Sequence, residues 1–522
     1  MYHQPIRVLD ETLLDSVHEV PDKVALVAGD LEYTYTELSV TARSLAAAFL
    51  ARGVKRGDRI AIYLDNGFSC AAAIYAALLS GAVFLAINPQ TKSDKLRFIL
   101  DDSEAVLLVT DARLTRFFMP AISGARFLAT VFCTGSAVFE SQRTSGCPII
   151  ESFERIVSST SQIDNPVFHI PNDLAALIYT SGSTGNPKGV MMSHESMVFS
   201  AGSLIQYLRL DSTDRILNVL PLAFDYGLYQ LLMSVYLGAT LVLEQSFVYP
   251  AQTLKCIEKQ QVTVFPGVPT VFTMLISMHR RSPLEFPSVR RITNTAAALP
   301  TDYNSDLQEI FPHALIYRMY GLTECKRVCY LEPELVNRKP SSVGNAIPGT
   351  EVFLLSDDGC EVKPGEPGIL HVRGPHVMRG YWKRPEESSK VLGDGNLPGE
   401  RVLCTQDWFT KDEDGDLYFL GRSDDIIKTR GEKVSPIEIE NVIYGIPGVR
   451  EVAVIGVPDG LLGQSIKAVI VTENGASLTQ KDIQRHCAQM LENHMVPKTI
   501  EFTAELPRTS TGKIRKAGLR PL

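Results

Sequence analysis

The residues whose types and spacing could do chemistry are densest in the stretch 177–193, LIYTSGSTGNPKGVMMS. Thr180, Ser181, Ser183 and Thr184 offer short hydroxyl donors. Gly182, Gly185 and Gly189 permit positive φ and close backbone approach, so successive N–H groups can point at one anion. Lys188 adds a point charge. Such a loop can wrap phosphates. It is not a Walker A loop, which would need Gly-Lys-Ser/Thr, because Pro187 precedes the lysine. An apolar run over 174–178 leads into the loop and another follows Lys188, which predicts a strand, a loop, and then a strand or helix. A solvated Ser/Gly linker is the plain alternative, but linkers seldom set Pro-Lys-Gly between two apolar runs.

This stretch resembles the phosphate-binding signature of the adenylate-forming superfamily: acyl-CoA synthetases, adenylation domains of nonribosomal peptide synthesis, and luciferases. The resemblance runs from about Tyr33 to Lys516. A second signature stands in Tyr320-Gly321-Leu322-Thr323-Glu324. The resemblance implies that Tyr320 stacks on adenine, Thr323 bonds the α-phosphate and Glu324 holds Mg²⁺ on phosphate oxygens, roles that suit their chemistry. Ala296, Ala297 and Ala298 fall where the family has its adenine-binding turn; small side chains let a flat ring lie against the backbone. In Cys404-Thr405-Gln406-Asp407 the family usually has glycine in place of Gln406. Asp407 remains, with two oxygens suited to a ribose diol, and Arg422 can hold the same sugar or the phosphate.

The acid-binding side is read from LPLAFDYGLYQ at 220–230, where Phe224 stands in place of the histidine usual in acyl-CoA ligases. Phe224-Asp225 resembles amino-acid-activating adenylation domains, where the aspartate pairs with the substrate ammonium, a charge-assisted bond that rejects acids lacking the amine. The plain alternative is an aspartate capping a turn. By position in the family, Tyr226, Tyr229, Met319, Arg327 and Val328 line the acid pocket. That lining is bulky and implies a small substrate, and TECKR at 323–327 resembles stand-alone prolyl-carrier ligases.

The last signature, LPRTSTGKIRK at 506–516, is too polar and flexible over 509–512 for a core, and Lys513 resembles the family's catalytic lysine. Its ammonium can hold the substrate carboxylate and an α-phosphate oxygen together. Asp424 matches the hinge about which a C-terminal domain turns, and Gly431 the region then presented to the thiol. Lys428, Arg430 and Lys433 suit an acidic carrier domain or, equally, a solvated face.

The implied reaction is ATP-dependent, Mg²⁺-requiring activation of a small amino acid, proline first, as its aminoacyl-AMP. Transfer to the phosphopantetheine thiol of a carrier protein follows. The alternative is an AMP-forming acyl-CoA ligase for a non-amino acid, with coenzyme A as acceptor. A luciferase-like oxygenase shares the fold without a mark of its own here, and a non-catalytic nucleotide binder is disfavoured by the presence of both Glu324 and Lys513.

Positioning these groups takes more than one core, since the chain has 522 residues. Alternating strand and helix patterns predict an α/β fold: a large N-terminal domain of helix-covered parallel sheets with a small β-barrel-like module (1–423), then a small mobile α+β C-terminal domain (424–522). Thr36 is expected to cap a helix through Ala51. The uncharged stretch 68–88 is long enough to cross a bilayer, but Ser80-Gly81 splits it into a helix-like and a strand-like half, a buried unit rather than a membrane span. The net charge of −8 argues against nucleic-acid binding. Nine scattered cysteines without a CxxC pair and a charged N-terminus imply a reduced, cytoplasmic protein. Asp412-Glu413-Asp414-Gly415-Asp416 reads as a hairpin turn rather than a calcium loop.

Overall fold

Continuous apolar runs become buried parallel strands, and these build two large sheets. The computed structural model describes residues 6–135, 148–180, 187–295, 303–423, 425–429, 432–459, 462–473, 476–508 and 514–519, with backbone only at 428, 432, 433, 463 and 517. One sheet has seven strands in the order Ile149–Ser152, Thr130–Thr134, Ala105–Asp111, Arg59–Tyr63, Val83–Ala86, Leu174–Thr180, Lys188–Ser193, parallel up to the last, which is antiparallel. The other has nine strands. Its parallel centre runs Leu315–Tyr320, Arg291–Asn294, Val264–Gly267, Arg215–Asn218, Thr240–Leu243, Val24–Ala28, and antiparallel strands close both edges.

Helices Tyr35–Ala51, Phe68–Leu79 and Asp225–Leu237 share one apolar core with strands of both sheets. Phe68–Leu79 is the first half of the uncharged stretch and Val83–Ala86 the second. Every residue from Cys70 to Leu79 is buried, which is why this helix is apolar all round. No helix among the described residues is long and apolar enough to cross a membrane. The eight described cysteines are free.

The cap of Tyr35–Ala51 is Thr34, two residues earlier than expected. Its hydroxyl accepts from Glu37 N–H while Glu37 returns a bond to Thr34 N–H, and Thr36 instead bonds Pro21 O. The N-terminal helix Leu9–Glu19 is tied down by a buried pair, Asp10 Oδ1 to His169 Nε2 at 2.7 Å, with His169 Nδ1 on Val167 O. His194 stacks on His169, and burial pushes its pKa down to about 3, so it stays neutral and accepts from Leu9 N–H.

A separate antiparallel sheet (Glu351–Leu355, Gly368–Arg373, Arg401–Lys411, Leu392–Asp394, with Leu417–Arg422 pairing on Arg401–Lys411) forms the smaller module. The acidic turn before Leu417 lies in its last hairpin, where Lys339 Nζ bridges Asp412, Asp414 and Asp416. From Ile427 onward the strands Glu432–Val434, Ile427–Thr429, Gly463–Thr472 and Val449–Asp459 make a sheet with its own apolar core, under helices Pro436–Tyr444 and Gln480–Met490. Thr499–Phe502, absent from the sequence pattern, adds in parallel to Gly463–Thr472.

Candidate active site

The candidate residues gather where parallel strands end, at the carboxyl edge where open α/β sheets hold ligands. At the phosphate end, Thr180 and Lys188 face each other as the last pair of an antiparallel hairpin. Ser181, Gly182, Ser183, Thr184 and Gly185 lie outside the described residues. A side chain at Gly189 would come within 3.2 Å of the Tyr179 ring and 3.4 Å of Trp382. That tightness lets residues 379–382 run beside the hairpin, with Trp382 N–H on Gly189 O and Met191 N–H on Gly380 O. The alignment brings Tyr381 under Lys188, whose Nζ is 5.3 Å from the ring centroid and 3.2 Å from Glu387 Oε2. Tyr381 OH donates to Glu324 Oε1 at 2.7 Å. Burial, reinforced by the Glu324 charge, raises the Tyr381 phenol, which therefore stays a donor. The motifs did not single out Tyr381 or Glu387; the Gly380-Tyr381 pair at the end of a Gly-rich stretch was their only signal.

At the nucleoside end, Tyr320 closes strand Leu315–Tyr320 and donates to Asp407 Oδ2 at 2.5 Å, its ring edge-on to Phe409. Asp407 N–H bonds Thr405 Oγ1, and Arg422 Nε lies 3.8 Å from Asp407 Oδ1. Gln406, which replaces the usual glycine, takes φ +60°, and its carbonyl accepts from Ser423 N–H and Oγ. The left-handed turn is thus kept with a side chain in it, at about 1 kcal/mol of strain. Ala296, Ala297 and Ala298 lie outside the described residues. Thr323 and Glu324 are half-buried in the loop after Tyr320. That loop doubles back so tightly that a Cβ on Gly321 would sit 2.2 Å from Lys326 O and 2.9 Å from Arg327 Cα, which leaves room for glycine only.

At the acid end, Phe224 is the N-cap position and Asp225 the first residue of helix Asp225–Leu237, where a carboxylate suits the helix dipole. Gly227 packs against Pro221 O, which a Cβ would approach to 2.3 Å. Asp225 does not stand alone as an ammonium receptor. Its Oδ2 is 3.5 Å from Nζ of Lys326, a residue only 1% exposed with φ +63°. Burial depresses the Lys326 ammonium well below the ordinary lysine range, and Asp225 is the group that opposes this. The same Nζ lies 4.3 Å from the Tyr229 ring centroid. Arg327 is 2% exposed, its guanidinium 4.7 Å over the Tyr226 ring, and Tyr226 OH is bonded to Thr293. Met319 and Val328 are buried; Met319 Sδ accepts from Tyr207 OH, and Val328 N–H closes the loop on Tyr320 O. The motifs place Arg327 here but pass over Lys326, whose role depends on a left-handed backbone that no motif announces.

In the C-terminal part, Lys513, Asp424, Arg430 and Gly431 lie outside the described residues, as do the side chains of Lys428 and Lys433. The chain either side of 509–513 is anchored: Arg508 and Ile514 pair as a bridge, and Lys516 Nζ is 2.7 Å from Glu440 Oε1. Burial raises the Glu440 carboxyl, and Lys516 offsets part of that.

Comparison with known proteins shows the family and the fold. A family model described as AMP-binding enzyme matches residues 13–382, and one described as AMP-binding enzyme C-terminal domain matches 438–513. A feruloyl-CoA synthase from Amycolatopsis sp is 32% identical, with 96% of each chain covered. A linear gramicidin synthase component from Brevibacillus parabrevis is 30% identical over 96% of this chain but only 6% of its own length. Among solved structures, the anthranilate CoA ligase AuaEII in complex with anthranoyl-AMP superposes with a TM-score of 0.89 at 26% identity, covering 99% of this chain and 97% of that one.

Proposed function

Since the chain belongs to the AMP-binding enzyme family and is an AMP-forming acid–thiol ligase, we propose that it joins a non-amino carboxylic acid to coenzyme A. The observation that carries this choice is the Asp225–Lys326 pair. A substrate ammonium would have to displace a buried lysine from Asp225 and would enter beside a buried cation, Arg327. The similarity to a feruloyl-CoA synthase and to an anthranilate CoA ligase supports coenzyme A as acceptor, and the first supports a non-amino acid. The amino-acid and carrier-protein reading leans on Phe224-Asp225 and on the TECKR resemblance, and the Asp225–Lys326 approach weighs against the first of these.

In the proposed first half-reaction an oxygen of the substrate carboxylate bonds to the α-phosphorus of ATP as the bond to pyrophosphate breaks, leaving acyl-AMP. No protein nucleophile takes part. Thr180, Lys188, Thr323 and the hydroxyl-glycine loop hold phosphate oxygens; Tyr320, Asp407 and Arg422 hold the nucleoside; Lys513 fixes carboxylate against phosphate. Glu324, kept in place by Tyr381, offers the hard oxygen donor that Mg²⁺ prefers. Bound there, Mg²⁺ supplies charge neutralisation on the triphosphate. In the second half the C-terminal domain turns about Asp424 and the Gly431 region admits the thiol. Its sulfur bonds to the acyl carbon, AMP leaves with the former bonding pair, and the thiol proton passes to solvent. ATP–pyrophosphate exchange tests the choice. Fatty, aryl and short aliphatic acids should support exchange above proline and the other amino acids, and exchange confined to amino acids would overturn the reading.

A further inference from the structure

Among the described residues, the Arg327 guanidinium has no carboxylate partner. Only Nη1 is bonded, to the Lys326 carbonyl at 3.1 Å, while the buried Nε and Nη2 have no hydrogen-bond partner. The Tyr226 ring beneath it orients its plane without offering an acceptor. Lys326 cannot share its counter-charge, since Asp225 faces Lys326 itself. The buried Arg327 guanidinium and the buried Lys326 amine therefore lie beside the Tyr226 and Tyr229 rings with one described carboxylate, Asp225, which faces the lysine. Arginine does not shed its proton to relieve the imbalance. A buried charge without a partner is strongly disfavoured, and a free Nε/Nη2 edge is the fork that binds a carboxylate or similar oxyanion through two parallel bonds.

We propose that the acid activated by this chain carries a second anionic group, and that Arg327 is its seat. This rests on the reading that the substrate is a non-amino acid joined to coenzyme A. Arg327 shares one closed loop with Glu324, pinned by Val328 N–H on Tyr320 O and by the Gly321 contact. Glu324 serves the phosphate end, where the reacting carboxylate must lie, and Arg327 serves the far end against Tyr226. The strained φ of Lys326 is what turns the chain from one to the other. Tyr226 and Tyr229, bulky and buried beside the Arg327 and Lys326 heads, suit a short acid. The substrate class is thus a short carboxylic acid with a remote carboxylate or equivalent anion.

The experiment compares kcat/KM for CoA-thioester formation within length-matched pairs (butanoate and succinate, hexanoate and adipate, benzoate and isophthalate) in the wild type, Arg327→Met and Arg327→Lys. In at least one pair the wild type should favour the diacid by about a hundredfold or more. Arg327→Met should abolish that preference and Arg327→Lys restore part of it. The ratio is internal to each protein, so a smaller folded fraction cancels, and the wild-type arm stands even if a variant does not fold. Turnover of the monoacids with no diacid preference would overturn the anion seat alone, as would a preference that Arg327→Met leaves intact. Thioesters formed only from amino acids would overturn the functional reading beneath it.

Discussion

At the nucleotide end Tyr320 meets Asp407 at 2.5 Å and Tyr381 meets Glu324 at 2.7 Å, whereas at the acid end Lys326 stands 3.5 Å from Asp225 and two nitrogens of Arg327 have no hydrogen-bond partner among the described residues. In the first region neutral phenol donors already meet charged acceptors before any ligand arrives. The second sets a buried guanidinium and a buried lysine against one described carboxylate, on a backbone with that lysine in the left-handed region. The difference separates two tasks. Holding ATP is common to the whole family and is served by groups whose hydrogen bonds preorganise them. Choosing the acid is particular to the member, and a group left wanting a partner is what rejects acids that cannot supply one.

The sharpest break of this contrast is Asp225→Asn. It leaves the Lys326 ammonium buried without a counter-charge and should lower unfolding free energy by about 2–3 kcal/mol in urea titration. Adding Lys326→Met should recover most of the loss. If Asp225 were instead an ammonium receptor, the single change would spare stability and abolish only amino-acid activation. Next in size is Tyr381→Phe, which removes one charge-assisted bond to Glu324. The expected fall in kcat/KM is about tenfold, together with a higher Mg²⁺ concentration for half-maximal rate.

A buried pair of the satisfied kind serves as a control. Burial alone would lower the His169 pKa, but the hydrogen bond and charge of Asp10 more than offset this and raise it above the ordinary histidine value. The pair's contribution to stability is therefore complete below the unfolded histidine pKa and is lost as pH rises through the raised folded value. Urea midpoints should fall across that window in the wild type, and the fall should be reduced in His169→Gln. The smallest effect is expected at Gln406→Gly, where relief of the left-handed strain and the greater freedom of glycine in the unfolded chain nearly cancel, within about 1 kcal/mol by thermal unfolding.

The family and the α/β fold were legible from the sequence because the motifs proposed for the nucleotide end are local. Thr180, Lys188, Tyr320, Glu324 and Asp407 each sit in a short motif whose residue types state their task. The helix–turn–strand character of 68–88 was legible too, from Ser80-Gly81 alone. What escaped depends on contacts between distant segments. Tyr381 acquires its place only when residues 379–382 add to the phosphate hairpin. Lys326 looked like a charged loop residue until its backbone turned it onto Asp225. Asp225, matched by resemblance to an ammonium receptor, stands beside a buried lysine that no motif announces. The cap of the second helix slipped by two residues because Thr34 and Thr36 are equally good caps, and Glu37 bonds only Thr34.

The most direct test of the central claim is the product itself. Purified protein given ATP, Mg²⁺, coenzyme A and single acids should release AMP in step with a CoA thioester of a non-amino acid, read by mass spectrometry. AMP released only with amino acids, and thioester found only on a phosphopantetheinylated carrier protein, would contradict it.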